Sequence, residues 1–126
     1  MRLGIISALQ QEQAGLIEAM TDVSVEQRGM RSYTCGTLWG QEAVCVLARI
    51  GKVAATATVA TLIERYQVTH VVFTGVAGAI DSELRPGDVV IADTLVQHDL
   101  DASPLFPRFE VPLLGLAHFS SDRHLS

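Results

Sequence analysis

Three short runs of this chain, residues 3–7, 70–74 and 89–92, are apolar on both faces of the strand each would form. A strand of that kind cannot turn one face to water. It belongs in a parallel or mixed sheet with helices packed above and below. Only two segments read as helices, so the sheet this sequence builds is under-covered. The missing cover is either a partner subunit or a second half of the chain.

The elements alternate along the sequence. Residues 2–7 (RLGIIS) form the first strand, and residues 12–20 read as a helix with Ala14, Leu16, Ile17, Ala19 and Met20 as its apolar stripe. Residues 32–39 (SYTCGTLW) and 42–50 (EAVCVLARI) flank a predicted hairpin turn at Gly40–Gln41, with Gly36 marking a bulge. A second helix is predicted over 53–66, with Val59, Leu62, Ile63 and Tyr66 on its core side and alanines that allow close packing on a sheet. A buried strand follows at 69–74, then the small-residue loop Gly75-Val76-Ala77-Gly78-Ala79, then a turn at Arg85-Pro86-Gly87-Asp88. Residues 89–92 read as one more strand. From Thr94 to the end, Pro104, Pro107 and Pro112 make the chain loop-rich. This order predicts a single α/β domain over residues 1–126. Its central sheet is mixed and mostly parallel, flanked by helices and apparently incomplete.

Composition narrows the function classes. Lys plus Arg is 9 and Asp plus Glu is 14, a net charge of −5, which argues against nucleic acid as a partner. With 48% hydrophobic and 18% charged residues, the chain can bury enough surface to fold. Residues 3–8 are too short an apolar run for a signal peptide, and residues 53–63 are too short and too rich in threonine to span a bilayer, so no membrane is expected. Cys35 and Cys45 form no disulfide framework and no paired metal-ligand spacing. They read as small buried hydrophobes of a reduced, cytoplasmic protein.

Four places are candidates for chemistry. In open α/β sheets, ligands sit at the carboxyl ends of the strands. Glu12, expected on the first turn of a helix after the first strand, is either a carboxylate facing that crevice or a favourable acidic residue at a helix start. The run Arg49-Ile50-Gly51-Lys52 lacks the P-loop spacing and reads by default as a structural turn. The loop at 75–79 offers open backbone groups to a ligand but is not a dinucleotide fingerprint. The cluster His98-Asp99-x-Asp101 suits several metals in principle, yet nothing else in the chain supplies a matching ligand pair, so no metal is expected.

Taken together, MRLGIISALQQE, RIGKVAA, FTGVAGAI and RPGDVVIADTLVQHDLD resemble the bacterial 5′-methylthioadenosine/S-adenosylhomocysteine nucleosidases, which belong to the purine nucleoside phosphorylase superfamily. The resemblance runs from Met1 to about Phe119, with the four motifs in the family's order and spacing. It implies a nucleoside phosphorylase-like fold and hydrolysis of the N-glycosidic bond of an adenine nucleoside through an oxocarbenium-like transition state, without a cofactor. By this resemblance Glu12 binds and orients the nucleophilic water. Ala8 and Leu9 line the floor near ribose and base. Ile50 packs beside the 5′-alkylthio group, and Val76, Ala77 and Gly78 border the base and the water.

Within the loop-rich, dimer-type segment 94–126, the stretch from His98 to Leu113 resembles the family's dimer loop. There an aromatic from one subunit closes the other's pocket, which makes Leu105 and Phe106 the candidates and implies a homodimer. The sequence departs from the family in two ways. Some members carry Ser where this chain has Val76. Family members are also nearly twice as long, and their second half supplies the acid that protonates adenine and the residues that hold the ribose. The 126 residues alone are therefore expected to turn over little or no substrate. The alternatives are a phosphate-dependent phosphorylase, a futalosine-type nucleoside hydrolase, and a truncated, non-catalytic nucleoside-binding module.

Overall fold

The structure, a computed structural model, describes residues 1–125. It divides into two compact units, Met1–Gly78 and the chain from Ala79 onward.

The first unit is a five-stranded mixed sheet in the order β2-β3-β4-β1-β5. The strands are β1 Arg2–Ser7, β2 Thr21–Arg28, β3 Arg31–Leu38, β4 Gln41–Leu47 and β5 His70–Phe73. β1 lies between β4 and β5 and is parallel to both, while β2–β3 and β3–β4 are antiparallel. Within it β1 and β4 are the most deeply buried strands, while β5, at the edge, alternates half-buried and exposed residues. Because β1, β4 and β5 run the same way, their carboxyl ends share one edge of the sheet.

Each face has its own helix. The helix α2, Lys52–Tyr66, covers a cluster of Ile6, Tyr33, Val44, Val46 and Leu62. The short helix α1, Ala14–Glu18, brings Leu16 and Ile17 against Ile5, Met20, Leu38, Ala43 and Cys45 on the other face. The alternation of Ala43 and Cys45 with Val44 and Val46 along β4 is the period-two pattern of a strand buried on both sides. α2 ends where Gln67 turns left-handed at φ 54°. The N–H groups of Gln67 and Val68 both donate to the Leu62 carbonyl, the latter at 3.2 Å, and close the helix end.

Several sequence expectations are corrected. The helix expected over 12–20 is a 3-10 turn, Gln10–Glu12, followed by the five-residue α1, so Glu12 ends a turn rather than starting a helix. The β2 strand was not foreseen because its sequence, TDVSVEQR, is mostly polar and exposed. The hairpin turn is Trp39–Gly40, both with positive φ, not Gly40–Gln41. Gly36 does mark a bulge, which lies across from it in β2 at Asp22–Val23, while Gly36 itself pairs regularly with β4. Gly36 is required there because a Cβ would meet the Thr21 carbonyl oxygen at 2.6 Å. The core side of α2 is Thr58, Leu62 and Tyr66, and Ile63 faces outward. β5 is the last strand of the sheet, and Phe73 is 63% exposed, so the thin cover expected from the sequence is visible there.

In the second unit, β6 Thr94–Val96 pairs antiparallel with β7 His118–Ser120, two strands inside the segment expected to be loop-rich. Residues 89–92 do not form the expected strand, and Val89, Val90 and Ile91 are exposed. An apolar run becomes a strand only where a neighbour offers its backbone, and these residues pair with none among the described residues.

Candidate active site

The chain leaves β1 at Ser7 and turns at once, so the backbone N–H groups of Ala8 and Leu9 point away from the sheet ladder. Glu12 Oε2 accepts both, at 3.0 Å from Ala8 N and 2.8 Å from Leu9 N. The contact to Leu9, three residues back, is the side-chain half of a capping box. Helix-start chemistry thus accounts for Oε2. It does not account for Oε1, which accepts the N–H of Val76 at 3.1 Å, a residue 64 positions away in the loop after β5. Gly75 makes this approach possible, since a Cβ there would lie 3.0 Å from Glu12 Oε1.

These contacts set the charge of the group. The Leu9 N–H, then the Val76 N–H, hold the Glu12 carboxyl below the ordinary carboxylate range; desolvation works against them, and the Ala8 N–H adds to them. Glu12 is therefore an anion at neutral pH. A carboxylate offers about four acceptor directions. Two N–H groups occupy Oε2 and one occupies Oε1, which leaves one direction on Oε1 for a further donor such as water.

The loops that carry these donors are joined beneath. Ser7 Oγ and Thr74 Oγ1 are 2.8 Å apart, and the Thr74 N–H donates to the Ile6 carbonyl at 2.9 Å. Gln13, buried beside Glu12, donates its side-chain amide to the carbonyls of Ile5 and Val46 at 3.2 and 3.3 Å.

Of the residues singled out from the sequence, the structure brings together Glu12, Ala8, Leu9 and Val76. Ala8, Leu9 and Val76 take part through their backbones. The Val76 side chain is 84% exposed, so a contact that depends only on its N–H is indifferent to the Val-for-Ser difference. Ala77 and Gly78 continue the same loop and are exposed. Ile50 follows β4 at the same carboxyl edge and is 80% exposed. Leu105 and Phe106 lie in the second unit. Both direct their N–H groups to the Ala102 carbonyl there, with Leu105 exposed and Phe106 half-buried. Asp101 in that unit accepts the backbone N–H of Ser103 at 3.0 Å. Ser7 and Gly75 open the two candidate turns read from the sequence, whereas Thr74 and Gln13 were not singled out as parts of the site. A small polar residue closing each of two adjacent strands was the available signal.

Residues 2–126 match the phosphorylase superfamily. A 5′-methylthioadenosine/S-adenosylhomocysteine nucleosidase of Colwellia psychrerythraea is 42% identical over 101 residues, covering 80% of this chain and 42% of that protein. The solved structure of a nucleosidase of that name from the same organism, in complex with adenine, superposes with a TM-score of 0.93 at 36% identity, over 99% of this chain and 52% of that one. A futalosine hydrolase of Helicobacter pylori superposes with a TM-score of 0.89 at 28% identity, over 99% of this chain and 54% of that one. The chain spans about half the length of these relatives.

Proposed function

This chain belongs to the phosphorylase superfamily, and on that premise we propose that it forms the water-binding half of an adenine-nucleoside hydrolase. The substrates are 5′-methylthioadenosine and S-adenosylhomocysteine, and the product base is adenine. The observation that carries this reading is the Glu12 carboxylate, held by N–H groups from two loops at the carboxyl edge of parallel strands with one acceptor direction left open.

In the proposed reaction, the bond between the ribose anomeric carbon and the adenine nitrogen breaks, and the electron pair leaves with the base. A water held on Glu12 Oε1 donates its oxygen lone pair to the anomeric carbon. A carboxylate with a lowered pKa is a weak base toward water itself. It orients the water first and accepts a proton late, once the oxygen has bonded to the cationic carbon and become strongly acidic. Its negative charge also favours the oxocarbenium-like state. Ala8, Leu9, Ala77 and Gly78 border ribose and base, and Ile50 packs beside the 5′-alkylthio group. The adenine must be protonated as it leaves, and the family's acid for that step has no counterpart among these 126 residues. The chain by itself therefore turns over little or no nucleoside.

We place the protein in the cytoplasm as a homodimer, with Leu105 and Phe106 of the segment 94–126 closing the neighbouring subunit's pocket. No helix among the described residues is long and apolar enough to cross a membrane. A phosphorylase reading is weaker, because an anionic Glu12 repels phosphate and the Arg49 guanidinium is engaged with the Met30 carbonyl at 2.6 Å. The likeness to a futalosine hydrolase keeps that nucleoside as the second reading.

The test is adenine release from methylthioadenosine by the protein at its native length, with and without phosphate. Phosphate-independent release, lost in Glu12→Gln, supports the hydrolase. Strict dependence on phosphate, or full turnover in Glu12→Gln, overturns it.

A further inference from the structure

We propose that the Ser7–Thr74 hydroxyl pair is a positioning device that sets the spacing of the two loops gripping Glu12, a role that rests on the water-binding reading above. The geometry is specific. β1 and β5 are adjacent and parallel, with Ile6 opposite Phe73, so Ser7 and Thr74 are the next step of the same register. Past them the strands part. Ala8 and Leu9 enter the 3-10 turn, and Gly75 and Val76 enter the other loop. The 2.8 Å contact between Ser7 Oγ and Thr74 Oγ1 therefore closes the ladder one residue before the first Glu12 donor on one strand and two before it on the other.

The spacing matters because one carboxylate spans both loops. The Val76 contact is 3.1 Å long, and hydrogen bonds fade beyond about 3.5 Å. A separation of the loops by a few tenths of an ångström would release Oε1 and leave Oε2 in place. Ser7 is fully buried, so its hydroxyl has no water to turn to. Deleting a buried partner is costly, which keeps the pair together. The buried Gln13 amide holds the opposite side of the turn to Ile5 and Val46. With both ties in place the carboxylate is located before any ligand arrives, which is what preorganisation of a water site requires.

The test reads Glu12 directly. Carbon-13 NMR of the full chain follows the Glu12 carboxyl through an acid titration, together with the Val76 amide proton. In the native chain both respond together, with a midpoint below the ordinary carboxylate range. Thr74→Val is isosteric and cannot hydrogen-bond. It is expected to move the Glu12 midpoint toward the ordinary range and to uncouple the Val76 amide from it, while Thr74→Ser restores both. Ser7→Ala is expected to act like Thr74→Val and serves if that variant does not fold, with the β3–β4 amide pattern reporting the fold. Native titration in folded Thr74→Val or folded Ser7→Ala overturns the proposal, as does failure of Thr74→Ser to restore it. The readout needs no turnover. Failure of the hydrolase reading shows in the turnover assay and failure of this proposal in the titration, so the two are distinguishable.

Discussion

A methyl group on Gly75 would lie 3.0 Å from Glu12 Oε1 and 3.3 Å from its Cδ. Neither the loop nor the carboxylate can absorb that contact without moving, because Oε1 is already bonded to the next residue's N–H. Gly75→Ala is therefore expected to push Glu12 off Val76 while leaving the fold intact. Loss of a charge-assisted hydrogen bond predicts a fall in nucleoside turnover of roughly tenfold or more at native length. The urea midpoint should change little, since Gly75 is exposed. Unchanged turnover would mean that the carboxylate does not need the second loop.

Val76→Ser tests the opposite expectation. The residue holds Glu12 by its backbone, and that donor survives any substitution except proline. The Glu12 titration should be the same in both proteins. A serine hydroxyl adds one donor near the water, which is worth at most about a tenfold gain in turnover. A marked fall in turnover would show that the valine side chain itself shapes the pocket.

How much of this was legible in the sequence depends on what each residue touches. β4 was legible as one arm of a hairpin, and β1 and β5 as strands because their runs are apolar throughout. Glu12 stood out because it follows such a strand. β2 was invisible because its side chains face water and its place is set by pairing with β3. The 3-10 turn was read as helix because Ala14 to Met20 carry a helical stripe, and a stripe says which side is buried but not where the first hydrogen bond closes. The meeting of Glu12 with Val76 was implied by family resemblance, yet its chemistry was not. The sequence shows a valine side chain, and the structure uses the N–H beneath it. The Ser7–Thr74 pair was missed because two hydroxyls 67 residues apart become a motif only once the register of β1 and β5 is known.

Leu62 is the test of the core. It is fully buried, and a Cβ on Gly4 would meet its Cδ1 at 3.1 Å, so the helix rests on a strand with no side chain between them. Leu62→Ala opens a cavity there that Gly4 cannot fill. The expected cost is about 2–5 kcal/mol in urea denaturation, with an unchanged denaturant slope. A cost well below that range would mean that α2 settles toward the sheet, and the Tyr33–Tyr66 ring stacking at 4.8 Å would shift with it.

Tyr66 links stability to pH on the alkaline side. Its ring stacks on Tyr33, and its hydroxyl donates to Glu26 Oε2 at 2.8 Å. Burial first, and then the Glu26 contact, push the phenol from its ordinary 10.0 up to about 12. Between those values the unfolded chain has lost the proton that the folded chain still holds. The unfolded state then binds fewer protons, and stability falls as pH rises. The contribution is complete below the ordinary phenol value and is lost as pH climbs through about 12. The same hydrogen bond, ahead of the Arg28 and Arg65 charges, lowers the Glu26 pKa, so that carboxylate's share is present above 4.5 and lost as pH falls through its lower folded value. Tyr66→Phe removes the titrating group and keeps the stacked ring. Its urea midpoint should fall less steeply than the native one over the alkaline range, while the buried Cys45 thiol, raised to about 11, contributes equally to both. Parallel slopes in the two proteins would show that the Tyr66 hydroxyl carries none of the alkaline linkage.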